Sequence, residues 1–324
     1  MRYAMAAAKP GGSEVIRKIA LGDIVPGAGE VLIRHESIGL NFLDIYIRNG
    51  LYPWPVETDY VLGSEGAGII EAIGDGVTSL SVGDRVGYTL ANGAYVTHRV
   101  IDAGYVVKLP DNISSELAAS IMLKGLTVAY LIHDSFKVEA GHTVLFHAAA
   151  GGVGLIAGQW LNALGATVIG TAGGANKCEL ARANGYHHVI DYKSADFEAE
   201  VMKLTDGKGV DVTYDSVGND TMARSLTSTR RHGTIIAFGQ SSGPYLDFKI
   251  SDLAKGSYKL SRPTLFHFAG ERDWLEVNAA KLFTVVTDGT VNISINQKFA
   301  LEEVAKAHDA LTSRATTGCT ILNV

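Results

Sequence analysis

Eight residues near the middle of this 324-residue chain, His147-Ala148-Ala149-Ala150-Gly151-Gly152-Val153-Gly154, have types and spacing suited to chemistry. They follow a strand-like run, Thr143 to His147, and open a helical pattern, Val153 to Leu164, which Gly165 can terminate. The pattern Ala-x-x-Gly-x-x-Gly is a variant of the dinucleotide fingerprint. Gly151 and Gly152 would let the backbone approach a diphosphate, and Gly154 would let the helix pack closely on the strand. The helix that begins at Val153 then offers free N–H groups and the positive end of its dipole to the anion. The bland alternative is an ordinary strand-to-helix turn, but the strand-turn-helix-strand context favours a nucleotide site.

Residues further along choose between dinucleotides. An NAD site normally carries an Asp or Glu about 20 residues on, gripping the ribose hydroxyls. No acid occurs between Ala140 and Cys178. The second strand runs instead into Gly170-Thr171-Ala172-Gly173-Gly174-Ala175-Asn176-Lys177. Without the acid, an extra phosphate meets no repulsion there, and Lys177 supplies a point charge to hold it. Lys177 could equally be a solvated lysine at a helix start. Gly173 belongs to the same turn, and Tyr192, ending the third strand, could cover the adenine or bond the phosphate. Phe238, Gly239 and Ser241 follow another parallel strand, so their backbone should line the nicotinamide side. The cofactor expected from these residues is NADPH.

The elements that must position these groups fall into two kinds. Strand and helix signals alternate from Thr143 to Phe238, which implies a doubly wound parallel sheet. The first third holds short strands with Gly-rich turns, as in an antiparallel sheet or open barrel. Asp111 to Tyr130 has helical spacing, and the tail returns to mixed structure with helices near Trp274–Asp288 and Glu302–Leu311. With 47% hydrophobic and 19% charged residues the chain can build real cores, which excludes a disordered protein. A net charge of −6 argues against nucleic-acid binding through a general basic face. Cys178 and Cys319 are the only cysteines, too few for a disulfide framework or a four-cysteine zinc lobe. The longest smooth apolar run, Val144 to Ala150, is strand-length, so no membrane span is expected. Lys9-Pro10-Gly11-Gly12 interrupts the small residues Ala4 to Ala8, so no signal peptide is expected either. A soluble, cytoplasmic protein is the expectation.

Several segments together carry a family resemblance. They are Asn41 through Pro53, Gly63-Ser64-Glu65-Gly66-Ala67-Gly68, Gly83-Asp84-Arg85-Val86, Leu123-Lys124-Gly125-Leu126-Thr127, Phe146 to Gly154, Tyr214-Asp215-Ser216-Val217-Gly218, and Ser313 to Gly318. The chain resembles the zinc-free, zeta-crystallin-like quinone oxidoreductases of the medium-chain dehydrogenase/reductase superfamily, over nearly its whole length. The resemblance implies an α/β protein with a GroES-like β-rich catalytic domain, residues 1–122 and 265–324. A Rossmann NADPH-binding domain, residues 123–264, would be inserted within it. It also implies a cleft between the domains and a homodimer formed through Rossmann edge strands.

The implied reaction is NADPH-dependent reduction of a quinone or related electrophile, by metal-free hydride or electron transfer. Zinc relatives place ligands near Asn41 and Ser64-Glu65; the residues here make a catalytic metal unexpected. At the reacting end the resemblance places Asn41, a donor and acceptor, and Tyr46 and Tyr52, which could stack on a flat ring and donate O–H to a developing oxyanion. Packed aromatics remain the alternative for the tyrosines, and a structural cap the alternative to a base for Asp44. Thr127 is implied to face the cofactor, as is Arg314, unless it is an exposed tail arginine. Reduction of an enone or enoyl double bond, or a non-enzymatic crystallin-like or RNA-binding role, would use the same fold.

Overall fold

Short runs rich in Val, Ile and Thr build one parallel sheet in the middle of the chain. Its strands are β1 (Thr143–Phe146), β2 (Thr167–Ala172), β3 (His188–Asp191), β4 (Val210–Asp215), β5 (Thr229–Ala237) and β6 (Lys259–Ser261). The spatial order is β3-β2-β1-β4-β5-β6, with each neighbouring pair parallel. The order reverses between β1 and β4, and ligands of such sheets sit at the carboxyl ends of the strands beside that switch point. Connecting helices α1 (Gly152–Ala163), α2 (Ala175–Arg182), α3 (Phe197–Leu204) and α4 (Met222–Ser228) belong to the same unit. The strands are apolar on both faces because both faces are buried: Val144, Leu145, Val168, Ile169, Val212, Tyr214, Ile235 and Ile236 are all at most 1% exposed. α3 begins where the sequence can cap it, since the Asp196 carboxylate accepts the N–H groups of Glu198 and Ala199.

The computed structural model describes residues 1–54, 56–313 and 316–324. The chain divides into two compact units. One is Met1–Leu126 with Phe266–Thr287 and Ile293–Val324; the other is Thr127–Leu265 with Asp288–Asn292. The short Asp288–Asn292 piece, which the sequence reading left with the outer domain, goes with the parallel sheet. The reason is local: Gln159 of α1 donates to the Asn292 carbonyl and accepts the Asn292 N–H. β5 begins at Thr229, directly after α4, and β6 is only three residues long.

The other unit joins both chain ends. Strand Cys319–Asn323 pairs antiparallel with Glu30–Leu40, in register Thr320 with Leu40. Glu30–Leu40 pairs on with Glu65–Ile73, through two bulges, and then the sheet continues through Arg85–Thr89 to Val106–Lys108. Its core holds Val31, Ile33, Ile38, Leu62, Val86, Tyr88 and Tyr95, none measurably exposed. Each such side chain contributes roughly 1.5–3 kcal/mol of burial energy before entropy is charged against it. This is the GroES-like fold the resemblance implied, and the parallel-sheet unit is Rossmann-like.

Ser115–Ser135 forms a helix long and apolar enough to span a bilayer, but 83% of its apolar window is buried inside the protein. Its apolar residues serve the core.

Candidate functional site

The glycine turn has the geometry its spacing implied. α1 starts at Gly152, after Gly151 in extended backbone, and no side chain caps it. Its first amides therefore have no intrahelical partner and point out of the helix end. A Cβ on Gly154 would run into the carbonyl oxygens of Ala148 and Ala149, so only glycine lets helix and strand approach this closely. Tyr186 locks the same turn from behind, its hydroxyl donating to the Gly154 carbonyl at 2.7 Å. Ala148 is held at φ +55°, a left-handed conformation that costs a residue with a Cβ on the order of 1 kcal/mol. Strain of this kind persists where surrounding bonds over-determine the turn.

The loop after β2 is a second anchoring point. Gly174, at φ +96°, precedes α2, which also lacks a side-chain cap, and Lys177 lies half-buried in the first turn of α2. Tyr192 lies over the loop: a Cβ on Gly173 would stand 2.5 Å from its hydroxyl. Sequence reading missed Asp191, which ends β3. Its Oδ1 accepts the N–H groups of Gly174 (2.9 Å) and Lys193 (3.0 Å), and these bonds hold its carboxyl below the usual carboxylate range. That oxygen is committed to shaping the loop.

At the switch point β4 ends in Asp215, fully buried. Its Oδ1 accepts the amides of Val217 (2.8 Å) and Gly218 (3.0 Å), and it takes the hydroxyl protons of Thr221 (2.8 Å) and Ser225 (2.6 Å). The Asp215 carbonyl accepts the N–H of Phe238, whose ring lies 5.6 Å from Phe146. Gly239 lies against Ser216, and the Ser241 N–H donates to the Ser216 carbonyl. His147 completes this cluster, with Nδ1 2.8 Å from Thr171 Oγ1 and Nε2 2.9 Å from Ser225 Oγ. Burial pushes His147 below its ordinary pKa, so the ring is neutral. Thr127, on the Ser115–Tyr130 helix, is 6% exposed.

In the GroES-like unit, Asn41, Tyr46 and Tyr52 are brought together by one short helix, Phe42–Arg48. Asn41 precedes it. Asp44 accepts the Asn41 N–H at 2.9 Å, closing a capping interaction. The Tyr46 ring lies 6.1 Å from both Phe42 and Tyr52, making a three-ring aromatic row. Both tyrosines are half-buried. Arg314 lies outside the described residues.

Two buried networks fix the helix. Glu65 accepts Asn41 Nδ2 (2.8 Å), Lys124 Nζ (2.7 Å) and the Leu123 N–H (2.7 Å). Burial pulls the Lys124 ammonium down, but the neighbouring Glu65, Cys319 and Asp44 together more than offset this, and the Lys124 pKa ends raised. Asp44 takes protons from Ser64 (2.6 Å) and Tyr95 (2.8 Å). Behind Tyr95, His308 Nε2 lies 2.9 Å from the phenol oxygen and His308 Nδ1 3.1 Å from Arg48 Nη1. Arg48 can only donate and Tyr95 gives its proton to Asp44, so His308 is the neutral Nε2–H tautomer. Burial lifts Asp44 to about 6 and lowers His308 to about 3.

The residues near the expected zinc-ligand positions do not fit zinc. A zinc site needs about three thiolate, imidazole or carboxylate donors with free lone pairs. Here Asn41 offers an amide, Ser64 a hydroxyl already given to Asp44, and Glu65 a carboxylate bonded to a lysine ammonium. Among the described residues no group of three or more His, Cys, Asp or Glu is placed to hold a metal ion.

Two family profiles match this chain: "Zinc-binding dehydrogenase" over residues 152–279 and "Alcohol dehydrogenase GroES-like domain" over residues 27–111. The chain is 46% identical over 314 residues to a quinone oxidoreductase of Pseudomonas aeruginosa, covering 96% of each. It is 41% identical over 305 residues to a 2-haloacrylate reductase of Burkholderia sp., covering 92% of this chain and 91% of that one. The crystal structure of Escherichia coli quinone oxidoreductase complexed with NADPH superposes with a TM-score of 0.97 at 40% identity, covering 99% of this chain and 100% of that one.

Proposed function

This chain belongs to the quinone oxidoreductase group of the medium-chain dehydrogenase/reductase superfamily, and from that premise we propose that it reduces quinones with NADPH. The observation that carries the reading is the pairing of an uncapped, glycine-faced helix start with a second uncapped helix start bearing Lys177. The first suits a diphosphate and the second a further phosphate. When bound, NADPH supplies the hydride. The first-turn amides of α1, from Gly152 through Val153 to Gly154, following Gly151, would bind the diphosphate. The loop from Gly173 to Lys177, under Tyr192, would take the adenosine end. The backbone of Phe238, Gly239 and Ser241 would line the nicotinamide side, with Thr127 and Arg314 as further contacts. The fit of these residues to NADPH rests on the unpaired first-turn amides of α1, on the close helix–strand approach that Gly154 permits, and on the open space beside Gly174, where an added Cβ would meet nothing within 4 Å.

Tyr46 and Tyr52 would present the flat apolar surface and the O–H donors that a quinone needs. Hydride addition places negative charge on a quinone oxygen, and a donor aimed there lowers the barrier more than it lowers the ground state. Asn41 is held by Glu65 through one amide hydrogen and would turn the other toward the acceptor or the cofactor ribose. The donor set leaves no vacant metal position, so the reaction as proposed uses an acceptor that takes electrons readily without a Lewis acid. The reading extends to a cytoplasmic homodimer joined through the edge strands of the parallel sheet, β3 and β6, each of which pairs with a single neighbour among the described strands.

The likeness to a 2-haloacrylate reductase favours a second reading, reduction of an activated carbon–carbon double bond. Parallel assays with NADPH, one on a soluble benzoquinone and one on a conjugated enone, separate the two. Faster turnover of the quinone is expected; faster turnover of the enone replaces the first reading with the second.

A further inference from the structure

His147 is a buried titratable group to which the proposed reaction gives no task. Ser225 has a single hydroxyl proton, and Asp215 Oδ2 takes it at 2.6 Å. The 2.9 Å bond between His147 Nε2 and Ser225 Oγ must therefore be donated by the ring. Nδ1 is then the acceptor, and the Thr171 hydroxyl donates to it at 2.8 Å. The result is a directed chain, Thr171 to His147 to Ser225 to Asp215, which fixes the ring as the neutral Nε2–H tautomer from both ends.

Each end of that chain governs backbone that the proposed function assigns to a different half of the cofactor. At one end the Thr171 carbonyl accepts the Ala149 N–H at 3.0 Å, tying the glycine turn to β2 just before Gly173. At the other, Asp215 holds the Val217 and Gly218 amides, and its carbonyl accepts the Phe238 N–H at 2.8 Å. His147 directly follows β1, and its backbone N–H donates to the Tyr214 carbonyl of β4 at 3.1 Å. It is wedged across the switch point, with the Phe197 ring 4.9 Å away.

We propose that His147 is a positioning residue that couples the adenosine-side loop to the nicotinamide-side loop, holding them at the one spacing that a whole dinucleotide needs. The proposal rests on the NADPH reading above. A ligand that touches only one loop does not need the spacing, which makes the coupling measurable.

The test compares NADPH with its fragment 2′,5′-ADP, by equilibrium titration, on Thr171→Val, Ser225→Ala and the double variant. Loss of one hydrogen bond is worth roughly 0.5–1.5 kcal/mol, so about a fivefold change is expected. Ser225→Ala should weaken NADPH about fivefold and leave the fragment within about twofold of wild type. Thr171→Val should weaken both, and the double variant should bind NADPH no worse than the weaker single, because either cut breaks the same coupling. His147→Asn keeps an acceptor for Thr171 and loses the donor to Ser225; it should reproduce the Ser225→Ala split, and it serves if Ser225→Ala fails to fold. Equal loss of both ligands in Ser225→Ala, or a double variant whose loss is the product of the singles, shows ordinary core packing and overturns the coupling while leaving the NADPH reading intact. A wild-type protein that binds neither ligand brings down the NADPH reading, and the coupling with it.

Discussion

Two buried carboxylates, Asp44 in the GroES-like unit and Asp215 in the Rossmann-like unit, are held by the same device. Each lies behind a neutral Nε2–H histidine with one hydroxyl between, Tyr95 in one case and Ser225 in the other. What differs is what surrounds them. Asp215 accepts two backbone amides of the loop that follows it, and its histidine reaches Thr171 of β2, whose carbonyl holds the glycine turn at the Ala149 N–H. Asp44 anchors a helix start, has the Glu65 carboxylate as a neighbour, and its histidine ends on the Arg48 guanidinium. The comparison teaches that one buried motif serves two ends. Around Asp44 it holds an element in place, and its removal should register in stability. Around Asp215 it arranges ligand-facing loops, and its removal should register in binding.

The largest expected effect tests the Asp44 side through pH. His308 falls to about 3, so its buried neutral ring favours folding above the unfolded pKa of about 6.5, and this contribution is lost as pH falls toward 3. Unfolding free energies from urea titration of wild type and His308→Gln should therefore converge between pH 7 and pH 4, by roughly 3 kcal/mol at 1.36 kcal/mol per pH unit. Asp44 has the opposite sign. Its pKa is raised to about 6, so its contribution is complete below about 4 and is lost as pH rises through 6. Asp44→Asn should remove that loss from the pH slope. Parallel slopes for wild type and either variant would break the comparison on this side.

On the Asp215 side, Gly154→Val forces a side chain against the Ala148 and Ala149 carbonyls. Overpacking costs typically 1–3 kcal/mol, so NADPH affinity should fall by up to about a hundredfold. Normal affinity in a folded variant would remove the turn from the site. A smaller effect is expected one loop away. Lys177→Glu should lower the preference for NADPH over NADH about tenfold, since a charge-assisted bond to phosphate becomes a repulsion. An unchanged ratio in paired titrations would leave Lys177 as an ordinary lysine of the α2 start. The smallest effect is at Tyr52→Phe. Loss of one of two hydroxyl donors should reduce kcat for a benzoquinone by a few-fold, at about 1 kcal/mol, with KM nearly unchanged. An equal rise in KM would make Tyr52 a binding surface only.

How much of this was legible in the sequence follows from distance along the chain. The Gly151–Gly154 turn could be read because strand, turn and helix are contiguous and the glycine spacing is local. Lys177 could be placed because it follows β2 directly. The GroES-like fold was given by resemblance, since pairing Thr320 with Leu40 leaves no local signature. The His147 chain could not be read, because its partners lie 24 and 78 residues away and each residue alone looks like a common buried polar group. Asp191 was passed over because the search for an acid stopped at the second strand, whereas the third strand brings its carboxylate back to Gly174. The Glu65–Lys124 pair lay inside quoted motifs, yet only folding shows that the two meet, at 2.7 Å. Asp44 turned out as the cap that the sequence left open beside a base.

The most direct measurement is a crystal structure of this protein grown with NADPH. The account predicts the diphosphate against the amides of Gly152, Val153 and Gly154, with the 2′-phosphate within hydrogen-bonding reach of Lys177. A diphosphate bound away from that turn, or a 2′-phosphate with Lys177 facing elsewhere, would contradict it.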